Sequence, residues 1–233
     1  MSASSTPRGV AGLEPVANPT RRDAVINEIK RGIVLGTIRP GERLTESSLS
    51  EALRVSRPTV REALNRIAQE GLLVQQPYRG LRVAELDTRE ILDVAHVRVA
   101  LDMQAMTEVL ADETGAKMEA IRRAWEEYRP LAVNQDPMVQ HESHVAFHRR
   151  IWEAAGNTFL MSLWPTTEAH ITICLAHDQA ARHDPERALR VHRELMEAFE
   201  TGDLDTVHAA LVAHTVDSAE QLIALIEQRE SGA

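Results

Sequence analysis

The chain has 233 residues, 43% of them hydrophobic and 3% aromatic, and its formal net charge is −9. This length favours two small domains, and the scarcity of aromatic residues favours helical cores built from Leu, Ile, Val and Ala. The one cysteine, Cys174, excludes an intrachain disulfide and is typical of a reducing compartment. We expect a cytoplasmic protein with no membrane partner, because no apolar run approaches the ~18 residues of a membrane span and no apolar stretch follows Arg8.

Charge is distributed unevenly along the chain. Residues 20–84 contain 12 Lys and Arg against 7 Asp and Glu, whereas residues 85–233 contain 13 against 27, and all ten histidines lie in the second segment. A basic head on an acidic body is typical of a nucleic-acid-binding module. The alternative interpretation is that the two segments simply have differently solvated surfaces.

Residues 1–19 lack periodicity and are rich in Ser, Pro, Gly and Ala, which predicts a disordered tail. Apolar spacing then predicts a first helix over 21–34, and Thr45 and Ser56 are the expected N-caps of a second and a third helix. Two short strands and the turn between them are predicted after the third helix, at 72–74, 81–83 and 77–80. Three helices followed by a hairpin are the layout of a winged helix-turn-helix.

The rest of the chain predicts a bundle of helices. Asp87 and Glu90 are spaced as a capping box, and Asp136-Pro137 and Asp184-Pro185 each combine an N-cap with a first-turn proline. Six helices are predicted, over about 88–112, 115–131, 137–155, 158–178, 185–201 and 203–228. The expected fold class is mainly α, an N-terminal winged helix-turn-helix over 20–84 and a C-terminal all-α helical bundle over 85–230.

The third head helix is the predicted DNA-recognition element. Arg57 and Arg61 are one helical turn apart and project from one face, and Thr59 lies near the N-terminal end, from which such helices contact bases. Arginine can bind guanine bidentately, and Arg79 at the wing tip is placed to reach the backbone or a minor groove. The alternative is that these arginines form only a solvated face.

Four motifs make the head resemble the GntR family of bacterial regulators. They are Arg-Pro-Gly at 39–41, Leu-Thr-Glu at 44–46, Val-Ser-Arg-Pro-Thr-Val-Arg-Glu-Ala-Leu at 55–64 and Glu-Gly-Leu at 70–72. The resemblance implies that Arg57, Thr59 and Arg61 contact operator DNA, together with the wing tip around Gly80. Ser56, at the start of the same helix, is included among the DNA-binding candidates.

Arg54 is where the head departs from this family, which usually carries glycine at this turn. A turn of this kind favours a positive φ, which residues with a side chain adopt reluctantly. We therefore expect a turn that is strained or differently shaped, in which Arg54 adds a contact to a DNA phosphate.

Histidine spacing predicts a metal site in the bundle. His144 and His148 are one helical turn apart, and an antiparallel pair of helices would bring His192 and His214 to the same height. Bundle metal sites are built in this way from facing helices. The alternatives are that the histidines are unrelated surface or core residues, or that His141, on the same face as the first pair, is a ligand instead.

Further motifs make the bundle resemble the FCD ligand-binding domain, the FadR-type partner of GntR heads. They are Arg-Val-Ala-Leu-Asp at 98–102, Phe-His at 147–148, Ala-Gly-Asn at 155–157, His-Arg-Glu-Leu-Met-Glu-Ala at 192–198 and Gly-Asp at 202–203. Six helices suggest the shorter, VanR-like version. The resemblance implies a divalent metal held by an Asp-x3-His pair and two later histidines, which His148, His192 and His214 match, while His144 stands in the Asp position.

Replacement of that Asp by His144 changes the expected metal. Four neutral imidazoles favour Zn or Ni over harder ions and leave the metal charge available to an anionic effector. Alternatively, His144 does not bind and three histidines form a weaker site. The resemblance also implies that Arg98 faces the pocket, where its guanidinium suits a carboxylate effector; the alternative is an interhelical ion pair.

These observations favour a homodimeric transcriptional regulator, expected to be a repressor, that binds double-stranded palindromic operator DNA under the control of a small organic acid. A second hypothesis is a metal-sensing regulator. A third is a metal-dependent hydrolase, which is disfavoured because no His-Glu-x-x-His arrangement is present. We therefore do not expect an enzyme.

Overall fold

The computed structural model describes residues 20–76, 80–181 and 184–231. The predicted tail (1–19) and Arg79 lie outside the described residues. The head contains α1 (Arg21–Val34), α2 (Glu46–Leu53), α3 (Arg57–Gln69), β1 (Leu73–Gln76) and β2 (Gly80–Val83). The body contains α4 (Thr88–Leu110), α5 (Ala116–Tyr128), α6 (Pro137–Ala155), α7 (Thr158–Ser162), α8 (Trp164–Ala181), α9 (Pro185–Thr201), α10 (Leu204–Val212), a π-helical turn (Ala213–Asp217) and α11 (Ser218–Ser231).

The head has the predicted three helices and hairpin. Thr45 and Ser56 accept hydrogen bonds from backbone N–H groups in the first turns of α2 and α3, as expected of N-caps. The inner face of α3 packs on α1, and β1 pairs antiparallel with β2 with Leu73 opposite Val83. The segment 42–44 adds backbone hydrogen bonds to β2 and so widens the sheet. The head is therefore a winged helix-turn-helix.

The turn between α2 and α3 has the backbone geometry that the sequence predicts. Arg54 has φ 53° and ψ 44°, and among the described residues it is the one non-glycine residue with a positive φ. Its side chain is exposed. The turn thus keeps the left-handed shape that a glycine would adopt freely, at the steric cost of a Cβ atom.

The body is an all-α bundle around a core that contains Phe147, Trp152 and Phe199. Capping at Asp87, Asp136 and Asp184 follows the sequence prediction. The predicted fourth helix, over 158–178, is instead two helices, α7 and α8, because α7 ends at Ser162 and α8 restarts two residues later. The last predicted helix is interrupted by the π-helical turn.

Helix α8 is shared between the two parts of the protein. Ala169 and Ile173, one turn apart on α8, are 2% and 1% exposed and belong to the hydrophobic core of the head. Ile171 of the same helix belongs to the core of the body. Head and body are therefore packed together through α8 as well as joined by the chain.

By length and composition, the segment Leu204–Gln228 could cross a membrane. Core helices of globular proteins meet the same criteria. Val207, Leu211 and Leu222 of this segment are buried in the protein, and 22% of its most apolar window is buried.

We expect Arg54→Gly to raise the free energy of unfolding by about 0.5–1 kcal/mol, because glycine removes the Cβ clash of the left-handed conformation. Arg54→Ala is the matched control, since it removes the same guanidinium but keeps the Cβ atom, and it should give no gain. Equilibrium urea denaturation measures both. Equal stability of the two variants would show that the turn is unstrained.

Candidate metal centre and nucleic-acid interface

Four histidines from three segments of the body converge in its interior. His144 and His148 lie on α6, His192 on α9 and His214 in the π-helical turn. The Nε2 atom of His148 lies 3.1 Å from Nε2 of His192 and 3.2 Å from Nε2 of His214. The ring centroids of His144 and His192 are 4.7 Å apart. The predicted convergence of the two histidine pairs is therefore present in the structure.

The secondary structure around the histidines fixes their orientation. His192 Nδ1 lies 2.6 Å from the Ala188 carbonyl oxygen one turn earlier, so that this nitrogen donates and Nε2 is left with a free lone pair. The Tyr128 hydroxyl lies 3.2 Å from the same Nδ1. His214 lies in a π-helical turn, a local widening of the helix that recurs at functional sites. The free lone pair of His192 Nε2 is thus directed toward His148, whose Nε2 lies 3.1 Å away.

The imidazoles are held in their neutral form. Burial lowers the pKa of His192 to about 4, although the hydrogen bond to the Ala188 carbonyl opposes this shift. Burial also lowers the pKa of His144, His148 and His214 well below the usual value, and the positive charge of Arg98 acts in the same direction. Neutral imidazole is the form that binds a metal ion.

The cluster fits a small divalent metal. Tetrahedral nitrogen ligands at the usual zinc distance are about 3.3–3.4 Å apart, close to the observed 3.1 and 3.2 Å between Nε2 atoms. One nitrogen each from His144, His148 and His192 lies within 4.8 Å of the others. His214 joins through His148, while its ring centroid lies 6.5 Å from that of His144.

The rival candidate, His141, is not part of this cluster. Its Nε2 lies 3.3 Å from the Thr172 hydroxyl on α8. Burial lowers its pKa to about 4, and the positive charge of Lys30 on α1 adds to this effect. His141 thus faces the joint between the head and the body.

A cavity of about 560 Å³ adjoins the cluster. His144, His192 and His214 form part of its wall, and Arg98 of α4 contributes a guanidinium. Helix α8 forms one side, through residues that include Thr167, His170, Ile171, Cys174 and Leu175. The cavity therefore lies between the histidine cluster and the helix that packs on the head.

Arg98 is oriented from within its own helix. Its Nε lies 3.3 Å from Oδ2 of Asp102, one turn later on α4, and both side chains are nearly buried. The predicted alternative of an interhelical ion pair is therefore wrong, because the partner lies on the same helix. Trp152 Nε1 donates to the other Asp102 oxygen at 2.6 Å. Arg98 Nη2 is buried and has no hydrogen-bond partner among the described residues.

The candidate DNA-contacting residues lie at the exposed start of α3. Arg57 and Arg61 are exposed, and the Ser56 and Thr59 hydroxyls are 2.8 Å apart. Gly80 opens β2 with φ 80°, a conformation that favours glycine at the wing. The wing contact predicted for Arg79 lies outside the described residues.

Sequence reasoning missed the partner of Arg61. Its Nε and Nη2 donate to the two carboxylate oxygens of Glu46 at 2.7 and 2.8 Å. This bidentate pair joins α2 to α3 and holds the guanidinium plane in one orientation. The two residues are fifteen positions apart, and only the crossing of the two helices brings them together.

Comparison with known proteins agrees with both parts of the fold. Residues 21–83 match the gntR family of bacterial regulatory proteins, and residues 93–217 match the FCD domain. One relative, the uncharacterized HTH-type transcriptional regulator YdhC of Bacillus subtilis, is 24% identical over 204 residues, which are 87% of this chain and 91% of that protein. Another, the "probable D-xylose utilization operon transcriptional repressor" of Paenarthrobacter nicotinovorans, is 28% identical over 83% of each chain.

A GntR transcriptional regulator from Rhodococcus sp. RHA1 shares the fold, with a TM-score of 0.69, 20% identity and coverage of 88% of this chain and 98% of that one. The matched families and relatives are transcription regulators and not enzymes, which argues against the hydrolase hypothesis. The winged helix-turn-helix, the helical body and both family matches together place the chain in the GntR family of DNA-binding transcriptional regulators, with a C-terminal FCD domain.

Proposed function

We propose that this regulator is a cytoplasmic homodimer that represses transcription from a palindromic operator, and that a small carboxylate, bound at a Zn or Ni ion in the body, controls its affinity for DNA. The observation that carries this proposal is the guanidinium of Arg98. Its buried Nη2 has no hydrogen-bond partner among the described residues, and Arg98 is one of the residues that line the same cavity as the histidine cluster. An unpaired buried donor is costly, and an anion would satisfy it.

The metal would be held by His148, His192 and His214, with His144 as a fourth ligand. Four imidazoles carry no charge, so a divalent ion in this cluster keeps its full charge toward the cavity. When bound, the ion supplies a Lewis-acid contact for a carboxylate oxygen. Imidazole ligands favour Zn or Ni over harder cations, which prefer oxygen.

Helix α8 offers a route from the cavity to the DNA. Its cavity face carries His170 and Cys174, and its other face inserts Ala169 and Ile173 into the core of the head. A ligand that shifts α8 would therefore shift the head, and with it the α3 helices of a dimer. Because the core of the head is closely packed, such a shift moves the head as a unit.

A metal-sensing regulator is the second candidate. It is favoured because all four candidate ligands are histidines and none is a carboxylate. The two hypotheses differ in what changes operator affinity. In a sensor the metal alone does so, whereas in the proposed function the metal stays bound and the carboxylate does so.

We expect His148→Ala to abolish tight metal binding, with a loss greater than the roughly 10- to 100-fold typical of a residue that only orients a ligand. His208→Ala is the matched control, because His208 is exposed on α10 and lies outside the cluster. Competition with a chromophoric chelator measures the affinity for Zn and Ni. Unchanged affinity in His148→Ala would contradict the proposed site, and unchanged affinity in His144→Ala would assign a three-histidine site.

On the DNA side, we expect Arg61→Lys to reduce the preference for operator over random DNA by about tenfold or more, because lysine keeps the charge but loses the bidentate contact. The operator would first be selected from a random palindromic library. Arg66→Lys is the control, since Arg66 is exposed further along α3 and pairs with Glu70. Fluorescence anisotropy at several salt concentrations should show a similar salt dependence for both variants. An unchanged preference in Arg61→Lys would rule out base contact.

For the effector, we expect the double variant Arg98→Met, Asp102→Asn to weaken carboxylate binding by roughly ten- to a hundredfold, the loss of one charge-assisted hydrogen bond. The second substitution prevents a buried carboxylate from losing its partner. Asp102→Asn alone, which keeps the guanidinium, is the control. Calorimetry of the metal-loaded proteins with acetate and benzoate measures the effect, and full binding by the double variant would contradict the role of Arg98.

A further inference from the structure

The wall of the cavity specifies more than a carboxylate. We infer that the effector is a monocarboxylic acid with an extended apolar body, such as a medium-chain or aromatic acid, rather than a small hydroxy acid or a dicarboxylate. This inference rests on the proposed function, because it names the class of effector that the same site would take. Three features of the cavity carry it: where its unpaired donors lie, what the remaining wall is made of, and how large it is.

The unpaired donors are concentrated at the histidine cluster. Among the described residues of the wall, buried Arg98 Nη2, His214 Nδ1 and the Thr215 hydroxyl lack hydrogen-bond partners. Thr215 follows His214 in the π-helical turn, and the charge of Arg98 acts on all four histidines. A carboxylate placed at this end of the cavity would lie beside the histidines and Arg98.

Elsewhere in the cavity several polar groups are already engaged or carry the wrong charge for a second carboxylate. Arg187 donates to the Ser218 hydroxyl and to the Gln221 side-chain oxygen, each at 3.1 Å. The Thr167 hydroxyl donates to the Leu163 carbonyl at 3.1 Å. Two wall residues, Asp93 and Asp178, are themselves acidic and would repel a second carboxylate.

Most of the remaining wall is hydrocarbon. It is formed by side chains from α4, α8 and α11 and from the turn before α8, among them Ile91, Val94, Leu101, Leu163, Leu175 and Leu222. Such a surface gains free energy by covering apolar groups and offers nothing to a hydroxyl. A ligand with several hydroxyl groups would lose hydrogen bonds to water wherever it faced these apolar side chains.

The cavity is also larger than a small acid would fill. At about 30 Å³ for each water-sized group, a volume of about 560 Å³ holds far more than the few non-hydrogen atoms of acetate or lactate. Acetate would fill roughly a quarter of it, whereas an acid of eight to ten carbons would fill more than half. Each further methylene buried on this wall should raise affinity by about three- to fourfold.

Calorimetry on the full-length protein, loaded with one equivalent of Zn, tests the inference. The ligands are butanoate, hexanoate and octanoate as the chain-length series, lactate and succinate as polar acids, and 1-octanol as the control without a carboxylate. We expect affinity to rise about three- to fourfold with each methylene, with octanoate binding more tightly than lactate, succinate or octanol. Tighter binding of lactate or succinate than of octanoate would overturn the inference and leave a carboxylate effector in place. If the zinc-loaded protein bound none of the acids, the proposed function would fail, and the inference with it.

A conservative variant tests where the apolar part of the ligand lies. Val94→Thr adds a hydroxyl to the wall with almost no change in volume, at a partly buried position on α4 away from the histidines. We expect octanoate to bind about tenfold more weakly to this variant and acetate to bind as before. Val133→Thr, outside the cavity, should change neither. Unchanged octanoate affinity, or an equal loss of affinity for both acids, would show that the hydrocarbon part of the ligand does not lie on this wall.

Discussion

Desolvation of the histidine cluster is the constraint around which the body is arranged. Four imidazoles share an interior that burial keeps uncharged, and a buried nitrogen needs a partner. Here the Ala188 carbonyl and the neighbouring imidazoles supply some of these partners, because α6, α9 and the π-helical turn meet at one height, whereas buried His214 Nδ1 has none among the described residues. A divalent ion at this point would satisfy several lone pairs at once. Arg98, held by Asp102 on its own helix, lines the cavity beside the cluster.

Helix α8 connects the cavity in the body to the core of the head. One face of this helix is part of the cavity and the other supplies Ala169 and Ile173 to the core of the head. Neither face can move without the other, because a helix is stiff over its length and close-packed cores transmit displacement. The head in turn presents Arg61, already held by Glu46. The wall of the cavity and the core of the head, which includes the inner face of α3, are thus connected through α8.

Much of this could be predicted from local patterns. Caps at Thr45, Ser56, Asp87, Asp136 and Asp184 and apolar spacing indicated the helices, since these signals act within a few residues. The positive φ of Arg54 followed from the type of turn. The convergence of the four histidines followed from one i,i+4 spacing and one antiparallel hairpin. In each case the required partner is close in sequence or connected by a short turn.

The sequence by itself therefore determined the order of the elements, the winged helix-turn-helix and the residues that form the histidine cluster. Tertiary structure decided the rest: the break at Leu163, the π-helical turn at His214, the Glu46 partner of Arg61, the position of α8 and the size of the cavity. Each of these depends on which helix faces meet and how closely they pack. Contacts between distant segments are set by the sum of many weak packing interactions, and no local spacing encodes that sum.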